Sequence, residues 1–588
     1  MFIFSPRPNR AASIKWEEWG GEALRKSEEQ KKPVLLAISA SWCHWCHIMD
    51  ETCFSDTDVI QLISSKFIPV RVDSDRRPDI NSRYNQGGWP TVAFLTPEGE
   101  VIANTTYIST EQMRRLLTDV ADLYSSSGGK VDAAVREIQQ QRRDRPAPSP
   151  AEPGPEVMSN VLKIIGESYD RKYGGFGREP KFPYASALAF LLTTLADGYI
   201  EAVEEMLKTT LDAMAAGGIY DRAGGGFFRY STMRDWSVPH YEKLLEDNAA
   251  LMSVYAEAFF LTGEPGYENV ARDIYRYLGT VLLDLGTGAF AGSQDSDERY
   301  YSLDALEREK RKAPRLDRAV YTGSNAAAAS VLLRSFQIFG DMEFRRTAVA
   351  ALELVWDRLW SGETGPSHYY ADGKPRLAGL LADVSPLLAA CIDAYESGAG
   401  ELWLDRAIQV AKWLLANLED VENGGFFDCV KALGAGGLLA EKDKPITENS
   451  VAAAALIRLA QSTGQPHFGN AARRALTYFG SIYKEKGIMA ADYATAVQRL
   501  LDPPVRVTIV GADDDDATVL MIGAAHRARL PFRSVEVIDP ETHGEDLEAS
   551  GFGYAGRPVA YICIGASCQA PVTDPSVLPE RLEQGRRQ

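Results

Sequence analysis

The chain has 588 residues, and 81 acidic residues against 63 basic ones give it a formal net charge of -18 at pH 7. That length exceeds one hydrophobic core and predicts about three or four domains. The acidic charge argues against nucleic acid and anionic membranes as partners, because both bind concentrated basic surface. No apolar run approaches the roughly 18 residues of a membrane-spanning helix.

The cysteine content indicates the redox conditions of the cellular compartment. Seven cysteines in a chain of this length are few and odd in number, which is typical of a reducing compartment with one redox pair rather than of a secreted scaffold. Residues 1–20 include prolines, arginines and two tryptophans but no continuous apolar stretch, so they predict no signal peptide. We therefore expect a cytoplasmic protein.

The first predicted elements are a helix over 13–30, a strand over the apolar run 34–38 and a helix over about 43–54. Cys43 and Cys46 lie at the start of that second helix. There the unpaired backbone N–H groups and the helix dipole favour a thiolate over a thiol. We expect Cys43 to be the nucleophile and Cys46, nearly one turn later, to resolve the mixed disulfide.

Four further elements complete the predicted N-terminal domain: a helix over 56–65, a strand over 67–72, a strand directly after Pro90 and a helix over 110–124. This order resembles the thioredoxin fold over about residues 13–125. In that fold a proline beside the thiols precedes a threonine and is cis, and Pro90 matches it. A cis X-Pro bond is uncommon, and the resemblance implies that Pro90 presents backbone to a substrate.

Proton transfer at the thiols is expected to differ from that in thioredoxins. The resemblance implies a buried acidic residue six positions before the first cysteine, but that position is Ala37 here. We therefore expect His44 and His47 to tune the thiols and to relay protons. A half zinc site of both cysteines and one of these histidines is less favoured, since no second Cys-x-x-Cys motif completes a tetrahedron. No metal and no cofactor are predicted.

A Pro-rich stretch, 136–156, is predicted to be an extended linker, and helical periodicity dominates the residues after it. Twelve helices are expected, with starts near 157, 184, 199, 242, 264, 323, 341, 379, 400, 447, 466 and 489. Glycine-aromatic loops recur between them, which favours six hairpins closed into an (α/α)6 barrel over an open superhelical array. The loops of such a barrel surround a concave pocket of the kind that holds sugars.

The loops of this barrel carry the densest polar stretches of the chain. A helix is predicted after Pro239, with His240, Lys243 and Asp247 on one face. The candidate pocket residues are polar or aromatic and lie in or beside these loops: Glu179, Lys181, Asp221, Arg222, Arg229, Trp236, His240, Glu242, Lys243, Asp247, Asn248, Gln294, Asp295 and Asp297. The alternative is that the loops only cap hairpins, with Asp and His side chains satisfying helix ends.

From residue 503 the pattern changes to short apolar runs separated by helical stretches, which predicts a small α/β unit. The acidic run 513–516 is expected to start a helix there. Cys53 lies seven residues after Cys46 on the same helix face and is expected to be buried packing, with a redox role as the alternative, whereas Cys391, Cys429, Cys563 and Cys568 are expected to be isolated. The predicted fold is thus a thioredoxin-like domain (1–135), the linker (136–156), the all-α barrel (157–502) and the small α/β domain (503–588).

Several motifs together resemble the spermatogenesis-associated protein 20 family, and they lie at 42–47, 72–73 with 77–79, 87–90, 179–183 and in the glycine-rich run that ends at Asn248. The resemblance covers nearly the whole chain. It implies a thioredoxin-like domain joined to a barrel similar to six-hairpin glycosidases and N-acylglucosamine 2-epimerases. Phe228 stands where family members usually have histidine, and this departure weakens the transfer of any barrel catalysis.

Three functions remain open from the sequence. The favoured one is a thiol–disulfide oxidoreductase that uses the Cys-His-Trp-Cys motif on protein thiols or disulfides. The second is a carbohydrate-active isomerase, epimerase or hydrolase, with His240, Asp247, Asp295 and Asp297 as acid/base candidates. The third is a non-catalytic barrel that binds a glycan, another small sugar-like ligand or a protein partner and delivers it to the thiols.

Overall fold

The computed structural model describes residues 2–85, 87–126, 129–144, 148–430, 437–512, 515–541, 547, 551–554, 556–565 and 567–587. Three units follow one another along the chain: an α/β unit, a helical barrel and a second, smaller α/β unit. This is the multidomain fold class that the sequence predicts. No described helix is both long enough and apolar enough to span a membrane.

The N-terminal unit has a thioredoxin-like fold built on a sheet with the strand order β2-β1-β3-β4. The strands are β1 (Val34–Ser39), β2 (Ile68–Asp73), β3 (Thr91–Leu95) and β4 (Val101–Thr105). The helices are α1 (Gly21–Gln30), α2 (His44–Glu51), α3 (Thr57–Lys66), α4 (Pro78–Tyr84), α5 (Thr110–Ser126) and α6 (Gly129–Arg143). Strand β1 is buried along its whole length, as expected of a central strand that is covered on both faces.

Two expectations for this unit need correction. The helix predicted over 13–30 begins only at Gly21, and Glu17 instead forms an extended bridge with Val70 beside β2. The linker predicted over 136–156 begins within helix α6, because its Ala, Glu, Gln and Arg residues favour a helix. Residues 145–147 of that linker lie outside the described part of the chain, and the division into domains stays a prediction.

The described part of the barrel has twelve long helices, as the periodicity predicts. The helices from 156 to 501 are α7 (Glu156–Ser168), α8 (Ala185–Asp197), α9 (Glu201–Ala216), α10 (Leu245–Thr262), α11 (Pro265–Tyr277), the short α12 (Glu298–Tyr301) and α13 (Ala305–Glu309), α14 (Thr322–Phe339), α15 (Met342–Leu359), α16 (Leu381–Glu396), α17 (Leu402–Asn417), α18 (Ile446–Thr463), α19 (Pro466–Phe479) and α20 (Ala491–Leu501). Helices α8, α10, α14, α16, α18 and α20 form an inner ring in which each packs on the next and α20 returns to α8. This closure excludes the open superhelical array.

The short strands of the barrel lie in the loops between its helices. They are β5 (Tyr230–Ser231), β6 (Pro239–His240), β7 (Lys243–Leu244), β8 (Leu283–Asp284), β9 (Ala289–Phe290), β10 (Ser293–Gln294), β11 (Leu316–Asp317), β12 (Val320–Tyr321), β13 (Ser367–Ala371) and β14 (Lys374–Ala378). The helix predicted to start after Pro239 therefore begins only at Leu245. His240 and Lys243 lie in strands and share no helix face with Asp247, because β6 pairs with β5 and β7 pairs with β10.

The C-terminal unit is a four-stranded sheet in the order β16-β15-β17-β18. Its strands are β15 (Val505–Val510), β16 (Ser534–Ile538), β17 (Val559–Ile564) and β18 (Ser567–Cys568), and its helices are α21 (Asp516–His526) and α22 (Leu578–Arg587). Asp515 caps α21 as the acidic run predicts, while residues 513 and 514 of that run lie outside the described part. Cys563 and Cys568 are not isolated, since the β17–β18 pairing places them opposite each other and a disulfide joins them.

The N-terminal unit is packed tightly on the barrel, at the end where the inner helices begin. Arg83 of α4 forms an ion pair with Asp428 at 2.7 Å and donates a hydrogen bond to the carbonyl oxygen of Leu438. Gly99 has a φ of +81°, and a Cβ atom there would lie 2.6 Å from the Cα atom of Gly437. Only glycine therefore allows the two backbones to approach so closely.

Candidate functional site

The cysteine pair lies at the N-terminus of α2, as the sequence predicts. Cys43 is the N-cap residue, and its sulfur accepts a hydrogen bond from the backbone N–H of Cys46 at 3.1 Å. The two sulfurs are joined in a disulfide. Both residues are buried, with 3% and 2% of their surface exposed. The strand-to-helix turn thus places the cysteine pair where bulk solvent does not reach it.

The cover over the cysteines comes partly from the barrel. Cys43 and Cys46 form one apolar cluster with Ala40, Trp42 and Leu244, against which Trp89 also packs. Leu244 belongs to β7, immediately before the inner helix α10. The bond between Trp89 and Pro90 is cis, as the thioredoxin resemblance implies. The face of the N-terminal unit that carries the thiols is therefore turned towards the barrel.

His44 meets a pair of barrel residues. Its backbone N–H lies 3.5 Å from Oε1 of Glu242, and its ring centroid lies 6.2 Å from that of His240. His240 in turn contacts the Glu242 carboxylate through Nδ1 at 2.7 Å. Burial and then the charge of His240 lower the pKa of His44. The predicted barrel residues His240 and Glu242 thus lie against the cysteine helix.

His47 meets a second barrel carboxyl group. Its Nδ1 lies 3.6 Å from Oδ1 of Asp295, while Oδ2 of Asp295 lies 3.8 Å from the guanidinium of Arg315. Burial, and to a smaller extent the positive charge of Arg315, lowers the pKa of His47 to about 3. Burial raises the pKa of Asp295 to about 7. At neutral pH the imidazole is therefore uncharged, and the contact with Asp295 is not an ion pair.

A cavity of about 710 Å³, here called the chamber, lies between the N-terminal unit and the mouth of the barrel. Trp42, Asp75 and Trp89 line it from the N-terminal unit, and the first turns of the inner helices line it from the barrel. Its aromatic walls and polar groups are of the kind that orients a small ligand. The chamber is the pocket that the barrel architecture predicts, closed on one side by the thioredoxin-like unit.

Carboxyl groups dominate the polar lining of the chamber. They are Asp75, Glu246, Asp247, Asp383 and Glu448. Burial raises the pKa of Glu246 to about 7, that of Asp247 to about 6 and that of Asp75 to about 7. In the described part of the chain, Oδ2 of Asp247 has no hydrogen-bond partner. The chamber therefore offers protonatable carboxyl groups that titrate close to neutral pH.

The cationic groups of the chamber are Arg229 and His368. The guanidinium carbon of Arg229 lies 4.9 Å from the ring centroid of Trp42 and 4.8 Å from that of Trp89, a cation–π arrangement. His368 contacts Asp383 through Nδ1 at 2.9 Å and the carbonyl oxygen of Asp75 through Nε2 at 2.6 Å. Burial alone would lower the pKa of His368, but the charge and the hydrogen bond of Asp383, together with the contact to Asp75, raise it. Each ring nitrogen of His368 thus lies within hydrogen-bond distance of an oxygen atom.

Sequence reasoning missed Asp75, Glu246, His368 and Asp383. Asp75 follows the strand β2, next to the strand that leads to the cysteines, and this position at a shared sheet edge is a signal that could have found it. Glu246 directly precedes the candidate Asp247. For His368, which lies 293 residues from Asp75, no local pattern points to the chamber.

Several predicted pocket residues instead hold the glycine-aromatic loops together. Lys181 donates to Asp170 Oδ2 and to the carbonyl oxygen of Gly174, both at 2.7 Å. Lys243 does the same with Asp221 and Gly225, both at 2.6 Å. Asn248 exchanges two hydrogen bonds with the backbone of Phe227.

The remaining predicted pocket residues also form hydrogen bonds with nearby loops and helix ends. Trp236 donates from Nε1 to the carbonyl oxygen of Tyr173, and Arg222 donates to carbonyl oxygens at the end of α9. Glu179 accepts from the backbone N–H of Arg234, and Asp297 caps α12. Gln294 lies in β10, with Oε1 3.5 Å from the hydroxyl oxygen of Tyr277. These contacts favour the loop-capping interpretation for this group of residues, whereas Arg229 and Asp247 line the chamber.

Among the described residues, no group of three or more His, Cys, Asp or Glu side chains is arranged to hold a metal ion.

Comparison with known proteins gives similarities to both large units. A family model, Thioredox_DsbH, described as a protein of unknown function, DUF255, matches residues 7–142. Human spermatogenesis-associated protein 20 is 25% identical in an alignment that covers 97% of this chain and 90% of that protein. The thiol:disulfide interchange protein DsbD of Campylobacter jejuni is 33% identical over 14% of this chain and 15% of its own length.

Among solved structures, cellobiose 2-epimerase from Spirochaeta thermophila superposes with a TM-score of 0.48 at 13% identity, covering 63% of this chain and 98% of that one. The match to the human protein spans both the thioredoxin-like unit and the barrel. The resemblance to the spermatogenesis-associated protein 20 family is therefore confirmed over nearly the whole chain.

Proposed function

We propose that this protein is a thiol–disulfide oxidoreductase whose Cys43–Cys46 pair acts on a small molecule held in the chamber. The observation that carries the proposal is the closure of the thiol face by the barrel. Trp42 precedes Cys43 and Trp89 precedes Pro90, and both tryptophans form the chamber wall. Both tryptophans also pack in the cluster that contains the cysteines, so the proposed path of a substrate from the chamber to the thiols runs past Trp42 and Trp89.

The size of the chamber narrows the substrate class. A volume of about 710 Å³ is within the usual range of small-molecule sites. A folded protein cannot enter it, and Leu244 covers the sulfurs from the barrel side. The geometry thus favours low-molecular-weight disulfides over the protein disulfides that the sequence suggests as partners.

The proposed exchange starts from the reduced protein. The Cys43 thiolate attacks one sulfur of the substrate disulfide, that S–S bond breaks, and the first substrate thiol leaves with a proton. The Cys46 thiolate then attacks the sulfur of Cys43, and the second substrate thiol leaves. The substrate gains two electrons and the protein ends as the Cys43–Cys46 disulfide, which an external thiol must reduce for another turnover.

Proton transfer in this proposal uses groups from both units. Ala37 provides no carboxyl group beside the thiols, while neutral His47 is next in sequence to Cys46 and contacts Asp295. The pKa of Asp295, raised to about 7 by burial, suits a group that gives and takes a proton near neutral pH. His44, next to Cys43, faces His240 and Glu242 in the same way. The name of the bacterial interchange protein that is similar to the N-terminal unit supports thiol–disulfide exchange as the reaction of this unit.

The test uses the full-length protein, reduced and freed of reductant. We expect it to reduce a small disulfide such as hydroxyethyl disulfide much faster than it reduces insulin, measured as thiols released. Cys43→Ser should abolish this activity, whereas Cys53→Ser, which removes a buried thiol outside the pair, should retain it. Activity that survives Cys43→Ser would refute the redox function, and equal rates with insulin would refute the limit to small substrates.

A carbohydrate reaction is the second candidate, and one observation favours it. Glu246 and Asp247 are adjacent carboxyl groups in an aromatic-lined chamber, with pKa values raised by burial to about 7 and about 6. Groups of this kind serve as general acids and bases on sugars. Epimerisation or hydrolysis of a sugar by the full-length protein, lost in Asp247→Asn but retained in Cys43→Ser, would select this function. Sugar binding without turnover would select a non-catalytic barrel.

A further inference from the structure

The barrel has a second cavity at the end opposite the chamber, with a volume of about 360 Å³. All six inner helices line it, and the chain after α21 closes it from the C-terminal unit. Four arginines face this space, so we call it the arginine cavity: Arg334, Arg458, Arg499 and Arg533.

Two of the four arginines are neutralised within the cavity. Arg334 forms a two-point ion pair with Glu257. Arg458 donates to both Asp393 and Glu396 at 2.6 Å. These three acids are all the carboxylates among the described residues that line the cavity, so four guanidinium groups face three carboxylates and one positive charge is in excess.

Arg499 and Arg533 lack a carboxylate partner in the part of the chain that the structure describes. The guanidinium carbon of Arg499 stacks 4.2 Å from the ring centroid of Phe532, and its N–H groups make no hydrogen bond to a described residue. Arg533 donates from its two Nη atoms to backbone carbonyl oxygens of its own loop. Its buried Nε has no partner there. The N–H groups of Arg499 and the Nε atom of Arg533 therefore have no hydrogen-bond partner among the described residues.

The helix dipoles account for only part of this arrangement. The inner helices end at the arginine cavity, and their partial negative charge attracts cations. That attraction explains why arginines gather here, but it satisfies none of the free N–H groups. Burial is the larger cause that lowers the pKa of Arg499 and that of Arg533 to about 9, and the charge of a neighbouring arginine is the next. Both groups stay charged at neutral pH. A buried charge without a counter-charge is unfavourable, and an anion would supply one.

We propose that the arginine cavity binds a phosphoryl group, either as inorganic phosphate or on a small metabolite, with Arg499 and Arg533 as its charged donors. Guanidinium groups bind phosphate oxygens with strong, charge-assisted hydrogen bonds. Arg499 lies on α20 of the barrel and Arg533 lies in the C-terminal unit. A bound anion therefore joins the two units, and it binds independently of the thiols.

The experiment measures thermal unfolding of the full-length protein while phosphate replaces chloride at constant ionic strength. We expect the Tm of the wild type to rise with phosphate and to saturate, because the ligand binds only the folded state. Arg499→Gln should have a higher Tm than the wild type without phosphate, since it removes an unpaired buried charge, and it should lose the response to phosphate. Arg533→Gln should also lose that response.

The matched control is Arg346→Gln, which removes one positive charge from the exposed side of α15 and should keep the wild-type response. Arg229→Gln, which alters the chamber, should keep it as well. A parallel titration with glucose 6-phosphate separates free phosphate from a phosphorylated metabolite. A wild type that responds to neither compound, or an Arg499→Gln response equal to that of the wild type, would overturn the proposal.

Discussion

Asp295 brings a carboxyl group from the barrel to the helix that carries the thiols. The groups that face it are His47 on α2, Arg315 on the chain before β11, and the acids Glu242 and Asp297. With its pKa raised to about 7 by burial, this group is neutral below that pH and negative above it. A negative charge beside α2 disfavours a thiolate on the same helix.

Asp295→Asn should therefore lower the apparent pKa of the reactive thiol in the reduced protein. We expect a shift on the order of one unit, from the loss of one partly buried charge. The measurement is the thiolate absorbance against pH, with Asp284→Asn as the matched control because Asp284 is exposed at the end of β8. An unchanged titration curve in Asp295→Asn would show that this carboxyl group does not act on the thiols.

At the scale of elements, the barrel repeats one loop three times. In each copy, a lysine donates to an aspartate and to the carbonyl oxygen of the first glycine of a Gly-Gly-Phe stretch. The lysines are Lys181, Lys243 and Lys444. Because the lysine joins two chain segments inside a buried loop, we infer that the repeated motif stabilises the loops between the barrel helices.

Lys181→Met should destabilise the protein without changing thiol exchange. Lys181 is fully buried, and its loss leaves Asp170 with Arg234 as its remaining charged partner. Removal of one member of a buried ion pair costs about 3 kcal/mol or more, and we expect a loss of that order in chemical denaturation. Lys172→Met, on the exposed part of the same loop, is the control. A folded Lys181→Met protein that lost its exchange activity would place Lys181 in the site after all.

The elements themselves were largely predictable from the sequence. Apolar spacing located the twelve long barrel helices to within a few residues, because each buries one stripe against its neighbours. The turn from β1 into α2 was equally accessible because a local motif encodes it, and the cis bond before Pro90 was implied by the resemblance to thioredoxins. The short strands between the helices were not, because two-residue pairings leave no periodic signal.

At the scale of the whole molecule, the barrel separates two sites of opposite charge. Carboxyl groups gather in the chamber, at the N-terminal ends of the inner helices, and arginines gather at their C-terminal ends. Both distributions complement aligned helix dipoles. The packing of the thioredoxin-like unit on the barrel was beyond sequence reasoning, because it depends on pairs such as Asp75 with His368 and His44 with Glu242, which lie 293 and 198 residues apart. Only the docking of the two units brings such residues together.

Leu244 is the barrel residue through which this docking can be tested. It is 7% exposed and packs on Cys43, Cys46 and Trp42, so it shields the disulfide from solvent. Leu244→Ala should therefore increase the rate at which dithiothreitol reduces the Cys43–Cys46 disulfide by several-fold, measured by trapping the free thiols. The truncation should also cost about 2–3 kcal/mol of unfolding free energy, as for other buried leucines.

Leu306→Ala is the matched control, because Leu306 lies on α13 and is 68% exposed. It should change neither the reduction rate nor the stability. If Leu244→Ala lost stability but kept the wild-type reduction rate, the barrel loop would not be the barrier at the thiols. Access would then be limited by the N-terminal unit itself, through Trp42 and Trp89, and the chamber would no longer define which disulfides the protein can reach.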